Sequence, residues 1–304
     1  IMSKLKSILY SLFTIVLGVS ILFFIIRLSP GDPIERILGP EASLEDINHY
    51  RTQLGLDRPM LAQYISFITS VFRGDLGTSL FKKKDVFDLL KVHMQPTLVL
   101  ALLSVFISAP LGTLLGVFAA LKKSTAVDSI LRVVTLLALA FPIFSLAPIL
   151  VLVFSIKMNL LPVSEWTSWK HIILPVLTLV IPLSSIVSRV SRNKFLEEKD
   201  GPWVQVLHAK GMANRDVVIR IIKVTLPTIL NIVAIQLSVV LAGTMVTETI
   251  YDIPGMGLLL FEAISNRDYP VVQGVIIYST IVYMSVFYFI DYLNKFIDPR
   301  LSGE

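Results

Sequence analysis

PTLVLALLSVFISAPLGTLLGVFAAL, residues Pro96–Leu121, is a run of 26 residues without a charged side chain. A helix of about 20 apolar residues crosses the hydrocarbon core of a bilayer, where the backbone must satisfy its own hydrogen bonds. Five further uncharged runs contain 17 to 24 residues each, so we predict an all-α membrane protein with six transmembrane helices. The predicted spans are Ile8–Ile26, Pro96–Leu121, Val133–Ile156, Ile172–Ser188, Val224–Thr247 and Tyr269–Ile290.

The composition of the whole chain agrees with this class. Of 304 residues, 54% are hydrophobic and 16% are charged, whereas soluble domains carry about 25% charged residues. The absence of cysteine excludes disulfides, thiol catalysis and thiolate metal sites. No metal site is predicted in this chain, because its four histidines lie far apart and lack a second ligand at helical spacing. They are His49, His93, His171 and His208.

The distribution of Lys and Arg predicts the orientation of the spans, since cytoplasmic loops carry an excess of both. With the N-terminus inside, fifteen Lys and Arg residues fall in cytoplasmic segments and three fall in the two short outer loops. The long segment of residues 27–95 is left out of this count, because long loops cross whatever their charge. Both termini are therefore predicted to be cytoplasmic, and the basic pI of 9.3 indicates basic inner loops rather than nucleic acid binding.

The segment between spans one and two is an extracytoplasmic excursion in this topology. Ser43–Gly55 and Leu61–Phe72 are predicted to form short amphipathic helices bounded by proline and glycine. The run from Lys82 to Lys84 is interpreted as a solvated turn. The predicted organisation is residues 1–26 for the N-terminus and span one, residues 27–95 for the excursion, and residues 96–304 for a core domain that contains spans two to six.

The cytoplasmic region of residues 189–223 is the most basic part of the chain. It contains the short run Trp203–Gly211, and a second helical run begins at Arg215 and leads into span five. Gly211 is placed to end the first helix, where a left-handed residue is needed. Composition alone leaves two interpretations open, a protruding cytoplasmic knob and a helix pair that lies among lipid headgroups.

Small and polar residues mark two of the predicted spans. Gly112 and Gly116 form a G-x-x-x-G pattern in span two, which permits close helix approach within the chain or at a dimer contact. Span five carries polar side chains that either line a pathway or form hydrogen bonds between helices. These are Asn231, Gln236 and Thr244, with Glu248 at the outer end.

Several motifs resemble those of a known family. The run Ala209-Lys210-Gly211, with Leu226-Pro227 at the next span, resembles the cytoplasmic signature of importer-type ABC permeases. The whole chain is similar to the oligopeptide, dipeptide and nickel permease family, in its longer B-type subunit. Further segments that carry this resemblance in family order are Ser29–Pro33, Leu54–Pro59, Gln63-Tyr64, Gly74–Ser79, Ile173–Pro175, Glu248–Gly257 and Asn266–Gln273.

The resemblance implies an ABC importer type I permease fold and half of a translocation pathway in the bacterial cytoplasmic membrane. It also implies a second permease subunit in a heterodimer, two ATPase subunits and an extracytoplasmic substrate-binding protein. The chain lacks a G-x-x-x-x-G-K-[ST] phosphate loop, so it is expected to be no enzyme, with ATP and Mg on the partner subunits. Peptides are the expected cargo, nickel or a metal–chelator complex is the alternative, and glutathione-like peptides are a third candidate.

Two alternatives come from other classes of protein. An intramembrane hydrolase would need a nucleophile and a base inside the spans, and the predicted spans contain no histidine. A membrane scaffold without transport is disfavoured by the polar residues of span five and by the cytoplasmic region.

Two sets of functional residues are predicted, the first from the resemblance and the second from the polar residues of span five and from the proline–glycine run that must turn the chain just outside it. The set expected to couple the chain to the ATPases is Trp203, Val206, Leu207, Ala209, Lys210, Gly211, Met212 and Arg215. The set expected to line the translocation pathway or its outer gate is Asn231, Gln236, Thr244, Glu248, Pro254, Gly255, Gly257 and Asp268.

The predicted topology can be checked by labelling single cysteines, because the chain has none of its own. A cysteine at Asn214 should resist a membrane-impermeant thiol reagent in intact cells, whereas a cysteine at Asn48 should react. The reverse labelling pattern would overturn the topology.

Overall fold

A computed structural model describes residues 2–28, 33–39, 41–242 and 244–297, which fold into helices joined by short turns. The first four helices confirm the two short helices predicted after span one and add another one before them. They are α1 (Met2–Leu28), α2 (Pro33–Leu38), α3 (Leu44–Gln53) and α4 (Met60–Phe72).

The remaining helices form the rest of the described chain. They are α5 (Val86–Leu121), α6 (Ala126–Ala140), α7 (Ile143–Leu150, continued as a π-helix over Val151–Lys157), α8 (Lys170–Lys199), α9 (Pro202–Ala209), α10 (Asn214–Leu241), α11 (Met245–Ile250), α12 (Met256–Ser265) and α13 (Tyr269–Ile297).

Helices α5, α8, α10 and α13 are each long and apolar enough to cross a membrane. A fifth candidate span is the bent pair of α6 with α7 and its π-helical continuation. Within α1, the apolar stretch Phe13–Leu28 is shorter than a full span. The chain is thus an all-helical membrane protein with four or five candidate spans among the described residues.

The third predicted span is not continuous, because its two halves meet at an angle of 101°. Pro142 lies at the break and favours it, since proline has no N–H for the helical ladder and its ring clashes with the carbonyl four residues earlier. The residue before it, Phe141, has the extended backbone that a following proline favours, with ψ of 116°. The N–H groups of Ser145 and Leu146 then donate to the Pro142 carbonyl and start α7.

The chain divides into two compact units, each with its own core. The first unit comprises residues 1–97, 242–245 and 254–284. In it, the start of α5 packs against α12 and α13 through buried residues such as Val86, Leu259 and Val275.

The second unit comprises residues 98–241, 246–253 and 285–304, and the structure describes it as far as residue 297. One of its cores joins α5, α7 and α8 around Leu100, Val151 and Leu174. Another joins the end of α5 with α8, α9 and α10 around Phe195 and Ile221.

The G-x-x-x-G pattern packs within this chain, which decides between the two possibilities left open by the sequence. A side chain on Gly112 would come within 2.5 Å of the Ser184 carbonyl oxygen, and one on Gly116 would meet the Ser188 carbonyl oxygen. Both carbonyls belong to α8. The two helices therefore approach closely because α5 presents glycine and α8 presents serine at the contact.

Replacing Gly116 by alanine should destabilise the protein by about 1–3 kcal/mol, because the added methyl group would overpack the contact with α8. Gly18→Ala is the matched control, since a Cβ at this helical glycine of α1 meets nothing within 4 Å. The measurement is the thermal unfolding midpoint in detergent, and equal midpoints for both variants would contradict the packing described.

Candidate functional site

The short helix α9 ends in a hydrogen-bonded C-terminal motif centred on Gly211. The Gly211 N–H donates to the His208 carbonyl at 2.9 Å, and the Met212 N–H donates to the Leu207 carbonyl at 3.2 Å. This pair of bonds is the Schellman motif, which places a left-handed residue just after the helix. Gly211 has φ of +75°, so the predicted left-handed elbow is confirmed.

Helix α9 is fixed on one side and open on the other. Val204 is buried against Phe195 and the amphipathic start of α10, which contributes Val217 and Ile221. Val206 has 52% of its surface exposed on the other side of α9. Of the predicted coupling residues, the half-buried ones are Trp203, Leu207 and Met212, and the exposed ones are Val206, Ala209, Lys210, Gly211 and Arg215.

The end of α8 braces the start of α9. Trp203 Nε1 donates to Glu198 Oε2 at 3.2 Å, and the Lys194 ammonium lies 2.9 Å from the other carboxylate oxygen of Glu198. Lys194 also pairs with Glu197 at 2.8 Å. Because the indole of Trp203 is held by its own N–H, the short helix has a defined orientation on α8.

A buried ion pair joins α6 to α8 in the same unit. Arg192 donates two hydrogen bonds to Asp128, at 2.7 and 2.9 Å, and the Asp128 side chain is only 1% exposed. The Asp128 carboxylate also accepts the Ser124 N–H at 3.3 Å. Such a bidentate arginine–carboxylate pair fixes both distance and orientation. It was not predicted, because no sequence pattern links two residues that lie 64 positions apart.

The predicted pathway residues of the second unit lie on α10 and α11. Gln236 is buried, and its Nε2 donates to the Leu183 carbonyl of α8 at 3.0 Å, as the hydrogen-bonding interpretation expects. Its Oε1 has no hydrogen-bond partner. Glu248 is fully buried, whereas Asn231 is exposed.

The turn after α11 contains Pro254 and Gly255 of the predicted pathway or outer-gate set. The notable backbone position is Asp252, with φ of +52°, while Gly255 is extended and Pro254 is exposed. The buried Tyr251 hydroxyl lies 2.9 Å from Thr178 Oγ1 and 3.4 Å from the Ala147 carbonyl oxygen. Tyr251 therefore ties this turn to α8 and α7, a contact that the sequence did not reveal.

Four further members of the predicted pathway or outer-gate set lie in the first unit: Thr244, Gly255, Gly257 and Asp268. Thr244 is half-buried, whereas the two glycines are buried, with Gly255 just before α12 and Gly257 within it. The buried Asp268 carboxylate accepts a hydrogen bond from the Ser79 hydroxyl and bonds from the N–H groups of Leu80 and Phe81. Asp268 thus clamps the turn after α4 to the end of α12.

The Lys82 side chain corrects the interpretation of its lysine run as a wholly solvated turn. The Lys82 ammonium is half-buried and lies 2.7 Å from Glu262 Oε2 of α12, so it strengthens the clamp made by Asp268. Lys83 and Lys84 are exposed, as predicted. The sequence held one signal for this contact region. Ser79, which bonds to Asp268, belongs to the stretch Gly74–Ser79 that carries the family resemblance.

No group of three or more His, Asp or Glu side chains that could hold a metal ion lies in the described part of the chain.

The fold is that of the ABC importer type I permease architecture. A solved structure with the same fold is that titled "Inward facing conformations of the MetNI methionine ABC transporter: CY5 native crystal form". The match has a TM-score of 0.57 and 14% sequence identity, and it covers 69% of this chain and 97% of the other.

Residues 112–303 match the family model described as "Binding-protein-dependent transport system inner membrane component". Residues 3–101 match the N-terminal model of the same kind of membrane component. The chain therefore belongs to this family of multi-pass inner membrane proteins.

Two curated relatives align with nearly the full chain. The "Probable peptide ABC transporter permease protein y4tP" of Sinorhizobium fredii (strain NBRC 101917 / NGR234) is 32% identical over 289 residues, which are 92% of each chain. The "Glutathione transport system permease protein GsiC" of Salmonella typhi is 30% identical over 298 residues, which are 98% of this chain and 97% of the relative.

Replacing Gly211 by valine should open the end of α9 without a steric clash, since a Cβ there meets nothing within 4 Å. The left-handed backbone costs an ordinary side chain about 1–2 kcal/mol, whereas asparagine tolerates it. Hydrogen–deuterium exchange at position 211 and at Met212 should quicken about 5- to 30-fold in Gly211→Val and much less in Gly211→Asn. Equal exchange in both variants and the native chain would contradict the assigned strain.

Proposed function

We propose that the chain is a peptide-importing permease subunit that forms half of the translocation pathway of a binding-protein-dependent ABC importer. The cargo is supported by the relatives, which are named for peptide and glutathione transport and align over 92% or more of this chain. Glutathione is itself a tripeptide. Nickel or a metal–chelator complex stays the alternative cargo.

The topology we infer has six spans, with both termini in the cytoplasm. Helix α1, of 27 residues, supplies the first span, and the bent pair of α6 and α7 supplies the third. Residues 1–26 then hold the N-terminus and span one, residues 27–95 form the extracytoplasmic excursion, and residues 96–304 form the core permease domain. The coupling region is residues 189–223.

The exposed face of α9 is the observation that carries the coupling proposal. A helix anchored by Val204 on one side and presenting Val206 on the other is suited to enter a groove on a second protein. The partner we propose is an ATPase subunit that holds ATP and Mg. A complete importer would contain two ATPases, a second and different permease subunit, and an extracytoplasmic binding protein.

The eight residues of the pathway or outer-gate set are proposed to line the pathway or to hold its outer gate. Gln236 fits the first role, because its unpartnered Oε1 can accept a hydrogen bond from a polar cargo. Asp268 fits the second, because it positions the turn that follows α4. The other members of the set are Asn231, Thr244, Glu248, Pro254, Gly255 and Gly257.

The test is uptake of labelled di- and tripeptides by proteoliposomes that contain the complete importer. Uptake should require ATP and the binding protein, and a nickel salt should not be taken up in place of peptide. Failure of peptide uptake under these conditions would contradict the proposed cargo.

In the same assay, Val206→Glu should lower peptide uptake at least tenfold, because it places a charge in the apolar centre of the proposed docking face. The fraction of ATPase that copurifies with the permease should fall with it. Ser129→Glu is the control, since it adds the same charge at an exposed position outside α9. A variant at position 206 that keeps both its ATPases and its uptake would refute the coupling role of α9.

A further inference from the structure

A cavity of about 290 Å³, lined by both polar and apolar side chains, lies within the first unit. Its walls come from the end of α1, the loop after α3, α4, the turn after α4 and the start of α13. Three stretches quoted for the family resemblance, Leu54–Pro59, Gly74–Ser79 and Asn266–Gln273, contribute to it although they are far apart in sequence. None of the charged residues that line this cavity belongs to the coupling set or to the pathway set named above.

Two arginines form the basic part of the lining, Arg27 and Arg58. Arg27 Nε donates to Gln63 Oε1 at 3.0 Å, and the guanidinium lies 3.6 Å from the centre of the Phe23 ring. The Arg27 Nη1 is buried without a hydrogen-bond partner. Burying an unpaired donor of a charged group is unfavourable, so this arrangement points to an acceptor that the described chain does not supply.

Two side-chain amides, those of Gln63 and Gln273, also line the cavity. Gln63 Nε2 donates to the carbonyl groups of Leu56 and Arg58, which fixes the amide so that its oxygen faces Arg27. Gln273, which also lines the cavity, is 3% exposed, and its Nε2 is a second buried donor without a partner. Two unsatisfied donors on separate helices beside one cavity are the combination that a carboxylate can complete.

Asp75 adds a negative charge to the lining. One of its oxygens, Oδ1, accepts the Gly77 N–H at 2.8 Å. Among the described residues, Asp75 forms no ion pair with Arg27 or Arg58, so the cavity keeps opposite charges apart on its walls. The two arginines attract a simple anion such as phosphate and Asp75 opposes it, whereas a molecule with both charges is attracted by both sides.

We propose that this cavity binds a small zwitterion, an amino acid or a very short peptide. Its carboxylate faces Arg27, Arg58 and Gln273, and its ammonium group faces Asp75. The volume lies at the lower end of small-molecule sites, which hold about 300–1,000 Å³, and this favours one or two residues over a longer peptide. The inference rests on the proposed function for its cargo class, and it adds a cargo-binding site within this chain itself.

The experiment measures binding of radiolabelled L-alanyl-L-alanine to the complete importer in nanodiscs, without binding protein or ATP, by equilibrium dialysis. Dialanine should bind saturably, with one site for each copy of this chain. Its C-terminal amide and its N-acetyl derivative should each bind at least tenfold more weakly, because each loses one charged contact.

Two variants locate the site. Arg58→Gln should weaken dialanine binding and remove most of the preference over the amide, whereas Asp75→Asn should remove most of the preference over the N-acetyl derivative. Arg73→Gln and Asp57→Asn are the matched controls, because both residues are exposed and neither lines the cavity. The controls should keep the affinity and both preferences of the native chain.

Absence of saturable dialanine binding would overturn the proposal, as would binding that Arg58→Gln and Asp75→Asn leave unchanged. Equal competition by inorganic phosphate would overturn the zwitterion assignment, and displacement by phosphatidylethanolamine would assign the cavity to a lipid headgroup. ATP-driven peptide uptake, measured on the same preparations with binding protein, separates the two proposals. Uptake without cavity binding contradicts the cavity alone, and cavity binding without uptake contradicts the importer function.

Discussion

Inside a bilayer the backbone has no water to bind, and this constraint governs the rest of the structure. Four helices of 28 to 36 residues keep their ladders within a single segment. The hydroxyl groups on α8 and α10 follow the same rule, since Thr178 and Ser238 donate to carbonyls of their own helices. Where a proline interrupts the ladder, as Pro142 does, the chain turns and a new helix begins at once.

The same constraint explains how the helices hold each other. Apolar side chains gain little from contact with one another when lipid is the alternative, so close approach of backbones and buried polar contacts take over. Gly112 and Gly116 provide the first against α8, and the Asp128–Arg192 pair provides the second near the start of α6. Both act on α8, the helix that also braces α9 through Glu198.

Composition predicts the four long apolar helices and the bent pair that the structure contains as candidate spans, but it predicts the ends of these helices less well. Helix α5 begins at Val86 rather than Pro96, since a helix continues as long as its residues allow and does not stop where charges begin. Several prolines lie in the predicted spans, and only packing decides that the chain bends at Pro142 while Pro182 stays within α8. Long-range packing also places Lys82 beside Glu262, which a local reading of three lysines cannot reveal.

In the candidate sites, too, local features could be predicted from the sequence and long-range contacts could not. Gly211 was predictable because a helix end is a local feature with a strong residue preference. The partners of Asp268 were not, because Ser79 is 189 positions away and becomes a neighbour only through the fold. Nor could the sequence show that motifs at residues 54–59, 74–79 and 266–273 surround one cavity, since each motif has a local explanation as a turn or a helix end.

The break in the third candidate span has an electrostatic consequence of its own. A continuous helix would carry one macrodipole from end to end, with partial charges only near its termini. Here two shorter dipoles meet at 101°, so the negative end of α6 and the positive end of α7 adjoin Pro142. Backbone carbonyl and N–H groups therefore place partial charges beside Pro142, within a stretch of sequence that has no charged side chain.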